Sequence, residues 1–256
     1  MRIASLTKDE YLGLDRDRVV AIVPLGSIEQ HGPHLPMGTD TFQCEAIVDR
    51  AERLEPDLML VTPTLWIGNS VNHLGFGAAL YLDPTRYVSV LFDIGRSFLE
   101  AGFRHLLFVN GHGANAGPLL TALHQLELEY VRTRDDVQIA GTSWWVLAPE
   151  VIQEVRESPP GEVGHACEIE TSLMLAAEPA LVHEDRYPEG VSHPHPEWAS
   201  YDLVDGSRVA LVEMFHRHAP DGTMGHPALA TAGKGERLLD GIARRLCEFV
   251  REFSTW

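Results

Sequence analysis

The feature that most constrains the fold is a repeated order of short apolar run, turn and amphipathic helix in the first half of the chain. Four apolar runs have the length of strands and lie at 18–24, 58–62, 105–109 and 137–142. Stretches with apolar residues at helical spacing separate these runs, at 40–54, 83–101 and 119–131. Strands that alternate with helices in this way indicate βαβ units, so we predict an α/β fold with a mainly parallel sheet flanked by helices.

The second half of the chain is less regular. It contains a predicted helix at 165–177, a loop rich in proline and histidine at 183–196, a predicted strand at 206–214 and a closing helix at 228–253. No internal repeat and no linker divides the 256 residues, and this length fits one large α/β domain. We therefore predict a single domain over residues 1–256.

The charge balance excludes one class of function. The chain has 20 lysines and arginines against 37 aspartates and glutamates, which gives a formal net charge of −17. Such a surface repels nucleic acid and anionic membranes, and no apolar run approaches the roughly 20 residues of a membrane span. The three cysteines, Cys44, Cys167 and Cys247, are far apart, which suits free thiols in a reducing compartment. Because the first residues also lack the apolar segment of a signal peptide, we expect a cytoplasmic protein that binds neither nucleic acid nor membranes.

Histidine is abundant, with 13 residues, and the first histidine cluster follows the first strand. The segment 26–40 carries Glu29, His31 and Asp40 among glycines and prolines. Ligands of open parallel sheets bind outside the carboxyl ends of the strands, where this segment begins. Glu29 and His31 are two residues apart, so an extended backbone points both side chains the same way. With Asp40 they form a set of nitrogen and oxygen donors that suits Zn, Mn or Fe, whereas the ordinary alternative is a solvated polar loop.

A second cluster, the sequence NGHGAN at 110–115, follows the third strand. Glycines on both sides of His112 allow the backbone to approach a ligand closely, and the strand ends at the same edge of the sheet. A glycine-flanked histidine also occurs in ordinary turns. Its position one or two βαβ units after the first cluster predicts that His112 is a further metal ligand.

The third cluster, GHACEIETS at 164–172, lies at the start of the helix predicted at 165–177. His165 and Glu168 are three residues apart and would share one face of that helix. Glu170 is five residues from His165 and would project elsewhere on a regular helix, so it joins a common site only if the helix starts within the motif. The alternative for the two glutamates is that they complement the helix dipole. Cys167 could be a nucleophile or a metal ligand, and the alternative is that it packs in the core.

Two tryptophans, Trp144 and Trp145, follow the fourth strand. As a pair after a strand they could form a wall of the pocket, and the alternative is that they pack in the core. We predict that Trp145 contacts the substrate.

Four motifs together resemble the creatininase family of metal-dependent amidohydrolases. They run from Pro24 to Leu239, nearly the whole chain, and are PLGSIEQHGPHLPMGTD, VNGHGAN, HACEIETSLMLA and DGTMGHPALATAGKGERLL. The resemblance implies a site for two divalent metal ions per subunit, Zn, Mn or Fe. It also implies a homohexamer built as a trimer of dimers.

The resemblance assigns a role to each candidate ligand. Asp40 would bridge the two metals. Glu29 and His112 would complete one metal site, and His31 and Glu170 would complete the other.

The chain departs from creatininase itself near the substrate. Gly113 and Ala114 stand where that enzyme has bulky and acidic residues, so the resemblance implies a substrate other than creatinine. His165 matches the family's histidine that contacts the substrate and transfers protons, and Glu168 could supply the missing carboxylate. We therefore predict that His165 and Glu168 are catalytic residues.

Further departures occur in the other motifs. Cys167 replaces a usual glycine, His226 replaces a usual aspartate, and FGAA at 76–79 replaces the family's FPGT. Ser70 and His73 remain in place, and we predict that Ser70 contacts the substrate. The branches of the family that do not act on creatinine include a formamide hydrolase and a peptidase that trims the precursor of the cofactor mycofactocin.

These inferences predict a metal-dependent hydrolase that cleaves a C–N amide in a cyclic amide, a formamide or a peptide, with a metal-activated water. The substrate would be a small molecule or a peptide. Two alternatives stay open at this point: an isomerase or lactonase that uses the same site, and a metal- or ligand-binding protein without catalytic activity. Product analysis separates the first, because amide hydrolysis releases a new amine with a carboxylate or formate. An activity assay after metal reconstitution distinguishes the hydrolase from a binding protein without catalytic activity.

Overall fold

A four-stranded parallel sheet forms the centre of the fold. The computed structural model describes residues 1–190 and 197–256. The sheet strands are β1 (Val20–Leu25), β3 (Met59–Val61), β5 (His105–Asn110) and β6 (Gln138–Ser143). Their order across the sheet is β3–β1–β5–β6, and every neighbouring pair is parallel. The predicted α/β fold is confirmed, and all four strands predicted in the first half are present.

Two short strand pairs and the helices surround this sheet. The strands β2 (Ile28–Glu29) and β4 (Ala79–Leu80) pair with each other, as do β7 (Val163–His165) and β8 (Met224–Gly225). The α-helices are α1 (Lys8–Leu12), α2 (Thr39–Leu54), α3 (Pro84–Glu100), α4 (Ala116–Glu129), α5 (Trp144–Leu147), α6 (Pro149–Val155), α7 (Glu168–Ala177) and α8 (Ala232–Phe253). Within the described part of the chain, no helix has both the length and the apolar character needed to cross a bilayer.

The two faces of the sheet pack against different helices, and the side chains of β1 alternate between them. Ala21, Val23 and Leu25 lie in an apolar cluster with residues of α3 and α4. Val20 and Ile22 lie on the opposite face, against residues of α2 and α8. All residues of β1 are buried, as expected for a central strand of a parallel sheet that is covered on both faces.

Capping residues fix where two of these helices begin. The Asp83 carboxylate accepts a hydrogen bond from the Thr85 N–H at 3.0 Å, and Pro84 occupies the first position of α3. The Thr231 hydroxyl accepts the Lys234 N–H at 3.2 Å, so α8 begins at Ala232 rather than at residue 228.

A third apolar cluster holds α7 in place beside the sheet. Ile169 of α7 packs with Leu238 of α8 and with Trp144 of α5. On its other side, the Gln43 amide of α2 donates a hydrogen bond to the Glu170 carbonyl oxygen at 3.0 Å. The start of α7 is therefore fixed against the start of α2.

The strand predicted at 206–214 is wrong. Within the described residues this segment forms no strand, although the Val209 N–H donates to the Trp198 carbonyl oxygen at 2.9 Å. Leu211 and Met214 instead line a cavity, and Val212 is 95% exposed. The apolar side chains of the segment therefore form the wall of a cavity rather than one face of a sheet.

The helix predicted at 165–177 begins later, at Glu168, because the chain first forms β7. His165 ends that strand, and Ala166 has a φ of 50°, in the left-handed region, so the chain turns sharply between His165 and α7. The prediction that His165 and Glu168 share a helical face is therefore wrong. Glu170 lies in the first turn of α7, which is the condition under which it joins a common site.

The loop predicted at 183–196 lies only partly within the described residues. Its first part contains one 3-10 turn, Glu184–Arg186. Residues 191–196 lie outside the described residues.

Candidate metal centre

Five side chains from separate parts of the chain converge beyond the carboxyl ends of β1 and β5. Glu29 lies on β2 and His31 follows it, Asp40 and Glu170 lie in the first turns of α2 and α7, and His112 follows β5. Each of these residues is buried, with at most 5% of its surface exposed. The structure therefore brings together all five residues that the sequence predicts as metal ligands.

Gly111 allows the segment that carries His112 to approach α2 closely. A Cβ atom on Gly111 would lie 2.8 Å from the Cys44 Cβ and 2.9 Å from the Asp40 carbonyl oxygen. Side chains essentially never approach so closely, so a residue larger than glycine would push His112 away from Asp40.

Asp40 is at the centre of the cluster. Its Oδ1 is 3.1 Å from His31 Nε2, and its Oδ2 is 3.0 Å from His112 Nδ1. Potential ligand atoms lie within 4.8 Å of one another in the group Glu29, Asp40 and His112, and again in the group His31, Asp40 and Glu170. Asp40 belongs to both groups, as a carboxylate that bridges two metal ions would.

A third group of the same kind consists of Glu29, His31 and His165. The rings of His31 and His165 lie 4.1 Å apart, and His165 Nδ1 is 3.8 Å from Glu29 Oε1. His165, predicted as a catalytic residue, therefore lies directly beside the ligand cluster.

The three histidines of the cluster are oriented by backbone carbonyls. One ring nitrogen of each lies within hydrogen-bond distance of a carbonyl oxygen: His31 Nδ1 at 3.1 Å from Glu29, His112 Nε2 at 3.1 Å from Asn69 and His165 Nε2 at 2.7 Å from Gln30. A carbonyl only accepts, so each of these nitrogens donates, and the opposite nitrogen of each ring faces the cluster, where it can bind a metal ion once it carries no proton. Metal-binding histidines in proteins are held in this way.

Three carboxylate oxygens of the cluster are buried and accept no hydrogen bond from the described residues. They are both side-chain oxygens of Glu29 and Oδ2 of Asp40. His112 Nδ1 lies 3.0 Å from Asp40 Oδ2, so a cation between the two atoms, in place of the proton on this ring, would contact both. Buried carboxylates without donors are unfavourable unless a cation compensates their charge.

The pKa values of the cluster residues also indicate that the buried carboxylates need a nearby positive charge. Burial raises the pKa of Glu29 and that of Glu170 to about 7. Burial alone would lower the pKa values of His31 and His112, but neighbouring carboxylates outweigh it and raise them to about 10 and about 9. For Asp40, burial acts to raise the pKa, but the two histidines outweigh it and hold the pKa far below its ordinary value. Protons on the histidines thus compensate the carboxylates, and a bound divalent ion would replace those protons.

A cavity of about 670 Å³ opens above the cluster. Its floor includes Glu29, Asp40 and Glu170, and much of its wall is apolar or aromatic: Trp145, Tyr201, Leu203, Leu211, Met214 and Phe215. Trp145 thus lines the cavity as predicted. Its ring also packs perpendicular to that of Trp144, 5.2 Å away, so pocket wall and core packing are both correct descriptions.

Ser70, predicted to contact the substrate, lies outside the wall of the cavity. Ser70 is completely buried, is not part of the cavity wall, and its hydroxyl forms a hydrogen bond with that of Ser27. A contact between Ser70 and the substrate therefore stays a prediction, which the wall of this cavity does not support.

The structure also corrects the basis for a catalytic Glu168. The Glu168 carboxylate is outside the cavity wall and forms an ion pair with Lys234. It accepts further hydrogen bonds from the Ser158 N–H at 2.8 Å, the Ser158 hydroxyl at 2.6 Å and the Glu157 N–H at 3.0 Å. This carboxylate is fully engaged in holding the start of α7.

Sequence reasoning did not select two residues that the structure places in the site. His73 lines the cavity, and its Nε2 is 3.2 Å from Glu29 Oε1. Gln30 lies between two ligands, and its side-chain amide contacts His73 and His165. Gln30 belongs to the first motif, but nothing in the sequence indicates which side chains its amide contacts.

A comparison with known protein families identifies the family of this chain. The model of the creatininase family, described as creatinine amidohydrolase, matches residues 4–250. This chain belongs to the creatininase family. The family consists of amidohydrolases, and the resemblance carried by the four sequence motifs is confirmed.

Named creatininase relatives have different substrates. The mycofactocin precursor peptide peptidase of Mycobacterium tuberculosis is 32% identical over 243 residues, which cover 92% of this chain and 84% of the relative. The creatinine amidohydrolase of Pseudomonas putida is 32% identical over 251 residues, which cover 91% of this chain and 89% of the relative. Because the two identities are equal, similarity does not select between a peptide and a cyclic amide.

Solved creatininase structures share the fold and carry metals. A manganese creatininase is 28% identical, with a TM-score of 0.80 over 98% of this chain and 97% of its own. A creatininase variant in a zinc–zinc form is 27% identical, with a TM-score of 0.81 over 98% of this chain and 97% of its own. Together with the ligand groups around Asp40, these structures support divalent metal binding by this chain.

Proposed function

We propose that this protein hydrolyses the C–N bond of an amide other than creatinine, at a centre that holds two divalent metal ions per chain. The amide is a cyclic amide, a formamide or a peptide bond. The observation that carries the proposal is the pair of ligand groups that share Asp40 at the floor of a large cavity.

The donor set limits the choice of metal. Carboxylates and imidazoles accept Zn, Mn and Fe, so we propose one of these three ions. Bound divalent ions would activate a water molecule and polarise the carbonyl group of the amide. The protein contributes the three carboxylates that balance the charge of the ions and the carbonyl contacts that orient the histidines.

His165 is the proposed proton carrier. Burial, together with the nearby His31 and His73, lowers the pKa of His165 well below its ordinary value, so the ring is neutral. Its Nε2 donates to the Gln30 carbonyl oxygen, and its Nδ1 lone pair is directed at the cavity floor. Nδ1 would accept a proton from the attacking water and return it to the leaving nitrogen, while the hydroxyl group adds to the carbonyl carbon. The products are a carboxylate, or formate, and an amine.

The shape of the cavity supports a substrate larger than creatinine. Ala114 lines the cavity and brings no carboxylate to the position where creatininase has an acidic residue. A volume of about 670 Å³ is in the range of sites that enclose ligands of drug size, which is much larger than one five-membered ring. Trp145 and Phe215 would contact the apolar parts of such a substrate.

We further propose that the chain works as a homohexamer, a trimer of dimers, in the cytoplasm. Exposed apolar side chains in the irregular second half, Trp198 at 59% and Val212 at 95%, support an interface between copies. Leu203 and Val204, by contrast, pack against the protein's own core. The free cysteines are all buried, in keeping with a reducing compartment. Sedimentation at the mass of a single 28.4 kDa chain would contradict the assembly.

The proposed activity is tested with a panel of N-formyl compounds, cyclic amides including creatinine, and short peptides, incubated with protein reconstituted with Zn, Mn or Fe. We expect release of an amine from at least one class but not from creatinine, and loss of this activity in Asp40→Ala and His165→Ala. The matched control is Asp93→Ala, which removes an aspartate side chain that is 62% exposed on α3.

Two results would contradict the proposal. One is a metal-loaded protein that releases no amine from any class. The other is a substrate that is converted without a new amine, which would indicate an isomerase or lactonase.

A further inference from the structure

Gln30 is a buried residue of the site that is not itself one of the predicted metal ligands. It is 8% exposed, and its neighbours in the chain, Glu29 and His31, are both candidate ligands. Its side-chain nitrogen is 3.0 Å from His73 Nδ1 and 3.1 Å from His165 Nε2. A single amide group therefore contacts two histidines of the site.

The orientation of this amide follows from a backbone contact. The Gly32 N–H, which can only donate, lies 3.0 Å from Gln30 Oε1. The atom at that position must therefore be the oxygen, and the NH₂ group must be directed at the histidines. Gly222 packs on the same oxygen so closely that a Cβ atom there would clash with it. The Gly32 contact thus fixes the orientation of the amide, and the close packing of Gly222 leaves the side chain little room to move.

The orientation of Gln30 determines which nitrogen of His73 carries the proton. Because the Gln30 NH₂ group donates, His73 Nδ1 must accept, and a neutral ring then carries its proton on Nε2. His73 Nε2 lies 3.2 Å from Glu29 Oε1, so the protonated side of the ring contacts a candidate metal ligand. Gly32, Gln30 and His73 form one chain of donors and acceptors with a fixed direction, and the last ring of this chain contacts Glu29.

The backbone of the same residue determines the tautomer of His165. The Gln30 carbonyl oxygen accepts from His165 Nε2 at 2.7 Å, which places the proton on Nε2. The contact between His165 Nε2 and the Gln30 amide nitrogen is therefore a contact between two donors and not a hydrogen bond. The remaining nitrogen, Nδ1, carries a lone pair directed towards Glu29 Oε1, 3.8 Å away.

We propose that Gln30 is a positioning residue that sets the tautomers of both histidines, His73 through its side chain and His165 through its backbone. In this arrangement the protonated Nε2 of His73 lies beside Glu29, and His165 presents only an acceptor to the reacting water. The consequence for His165 rests on the proposed hydrolysis, in which it must accept a proton before it donates one. The tautomers themselves do not depend on that function.

Neutron diffraction of the zinc-loaded protein tests the proposal directly, since it locates the deuteron on each ring. We expect deuterons on His73 Nε2 and His165 Nε2 and none on Nδ1 of either ring. A deuteron on His73 Nδ1 or on His165 Nδ1 would overturn the proposal. This measurement needs no variant and no substrate.

The variant Gln30→Glu separates the side-chain contact from the backbone contact. A glutamate can accept the Gly32 N–H in the same way, but its second oxygen faces His73 Nδ1 and can only accept. We expect a deuteron to appear on His73 Nδ1, while His165 keeps its proton on Nε2 because the backbone carbonyl is unchanged. We also expect zinc affinity to fall at least about tenfold, as for other residues that orient metal ligands.

The matched control is Gln125→Glu, the same chemical change on the exposed face of α4, which should alter neither tautomer nor zinc affinity. A Gln30→Glu protein with unchanged His73 and zinc affinity equal to that of the control would overturn the role of the side chain. Zinc affinity and tautomer are measured without turnover, so a failure of the proposed hydrolysis would be seen separately.

Discussion

Asp40 and Glu168 are both buried carboxylates, and the protein surrounds them in opposite ways. Glu168 has an ion pair with Lys234 and accepts hydrogen bonds from the backbone and the hydroxyl of Ser158. The Asp40 oxygens contact His31 and His112, two other candidate metal ligands, and Oδ2 accepts no hydrogen bond from the described residues. One carboxylate is satisfied by the protein, and the other is left for a cation.

The supply of hydrogen-bond donors to a buried carboxylate distinguishes a structural site from a reactive one more clearly than the position of the residue in the sequence does. Glu168 and Glu170 are two residues apart on α7, yet only Glu170 lies in a ligand group with Asp40. A buried carboxylate that has its full set of donors holds the fold together, and one that lacks donors needs an ion. The two kinds of site should therefore respond differently to substitution.

The largest expected effect is on metal content. Asp40→Ala removes a carboxylate shared by both ligand groups. We therefore expect metal affinity to fall by more than about 100-fold, which exceeds the loss expected when a residue that only orients a ligand is changed. His31→Ala removes a member of only one of those two groups and should cost less metal. Elemental analysis after zinc reconstitution measures both. The control is Glu168→Gln, a change at a buried carboxylate outside the ligand groups, and this variant should keep its full metal content.

The second effect is the pH dependence of metal binding. His31 and His112 have raised pKa values of about 10 and about 9, so both carry protons at pH 7 in the metal-free chain. A metal ion must displace these protons, so affinity should rise with pH, about tenfold per pH unit for each proton displaced. Calorimetric titration with zinc between pH 6 and 8 in buffers of different ionisation enthalpy measures the protons released. Binding without proton release would contradict this account of the cluster.

The smallest effect concerns the stability of the satisfied site. Glu168→Gln removes the charge that Lys234 and Ser158 contact in a buried position, so we expect the free energy of unfolding to fall by about 2 kcal/mol. The matched control is Glu157→Gln, which removes a partner of the same lysine that is 65% exposed and should change stability by less than about 0.5 kcal/mol. Urea unfolding of both zinc-loaded variants gives the two values. Equal stability losses would show that burial does not distinguish the two glutamates.

The ligand cluster was predictable because its signals are local. Glu29 and His31 are two residues apart on extended chain directly after β1, and His112 follows β5 between glycines. The carboxyl ends of parallel strands lie at one edge of a sheet, so these residues had to meet. The pairing of all five ligands into two groups came from the family resemblance and agrees with the distances around Asp40.

The remaining features depend on contacts between distant parts of the chain. Glu168 was placed beside His165 because i, i+3 spacing describes a helix, but the chain changes from strand to helix at Ala166. Lys234 reaches Glu168 from α8, and no local pattern indicates that ion pair. The segment 206–214 contains an apolar run of strand length, but apolar side chains of this segment line a cavity, and the segment forms no strand within the described residues.

The central claim is that Asp40 is shared by two metal ions, and anomalous diffraction from crystals of the zinc-loaded protein tests it most directly. We predict two anomalous peaks about 4 Å apart, one on each side of the Asp40 carboxylate, with Glu29 and His112 beside one and His31 and Glu170 beside the other. We also predict no peak at Glu168. A single peak, or peaks that do not contact Asp40, would contradict the account.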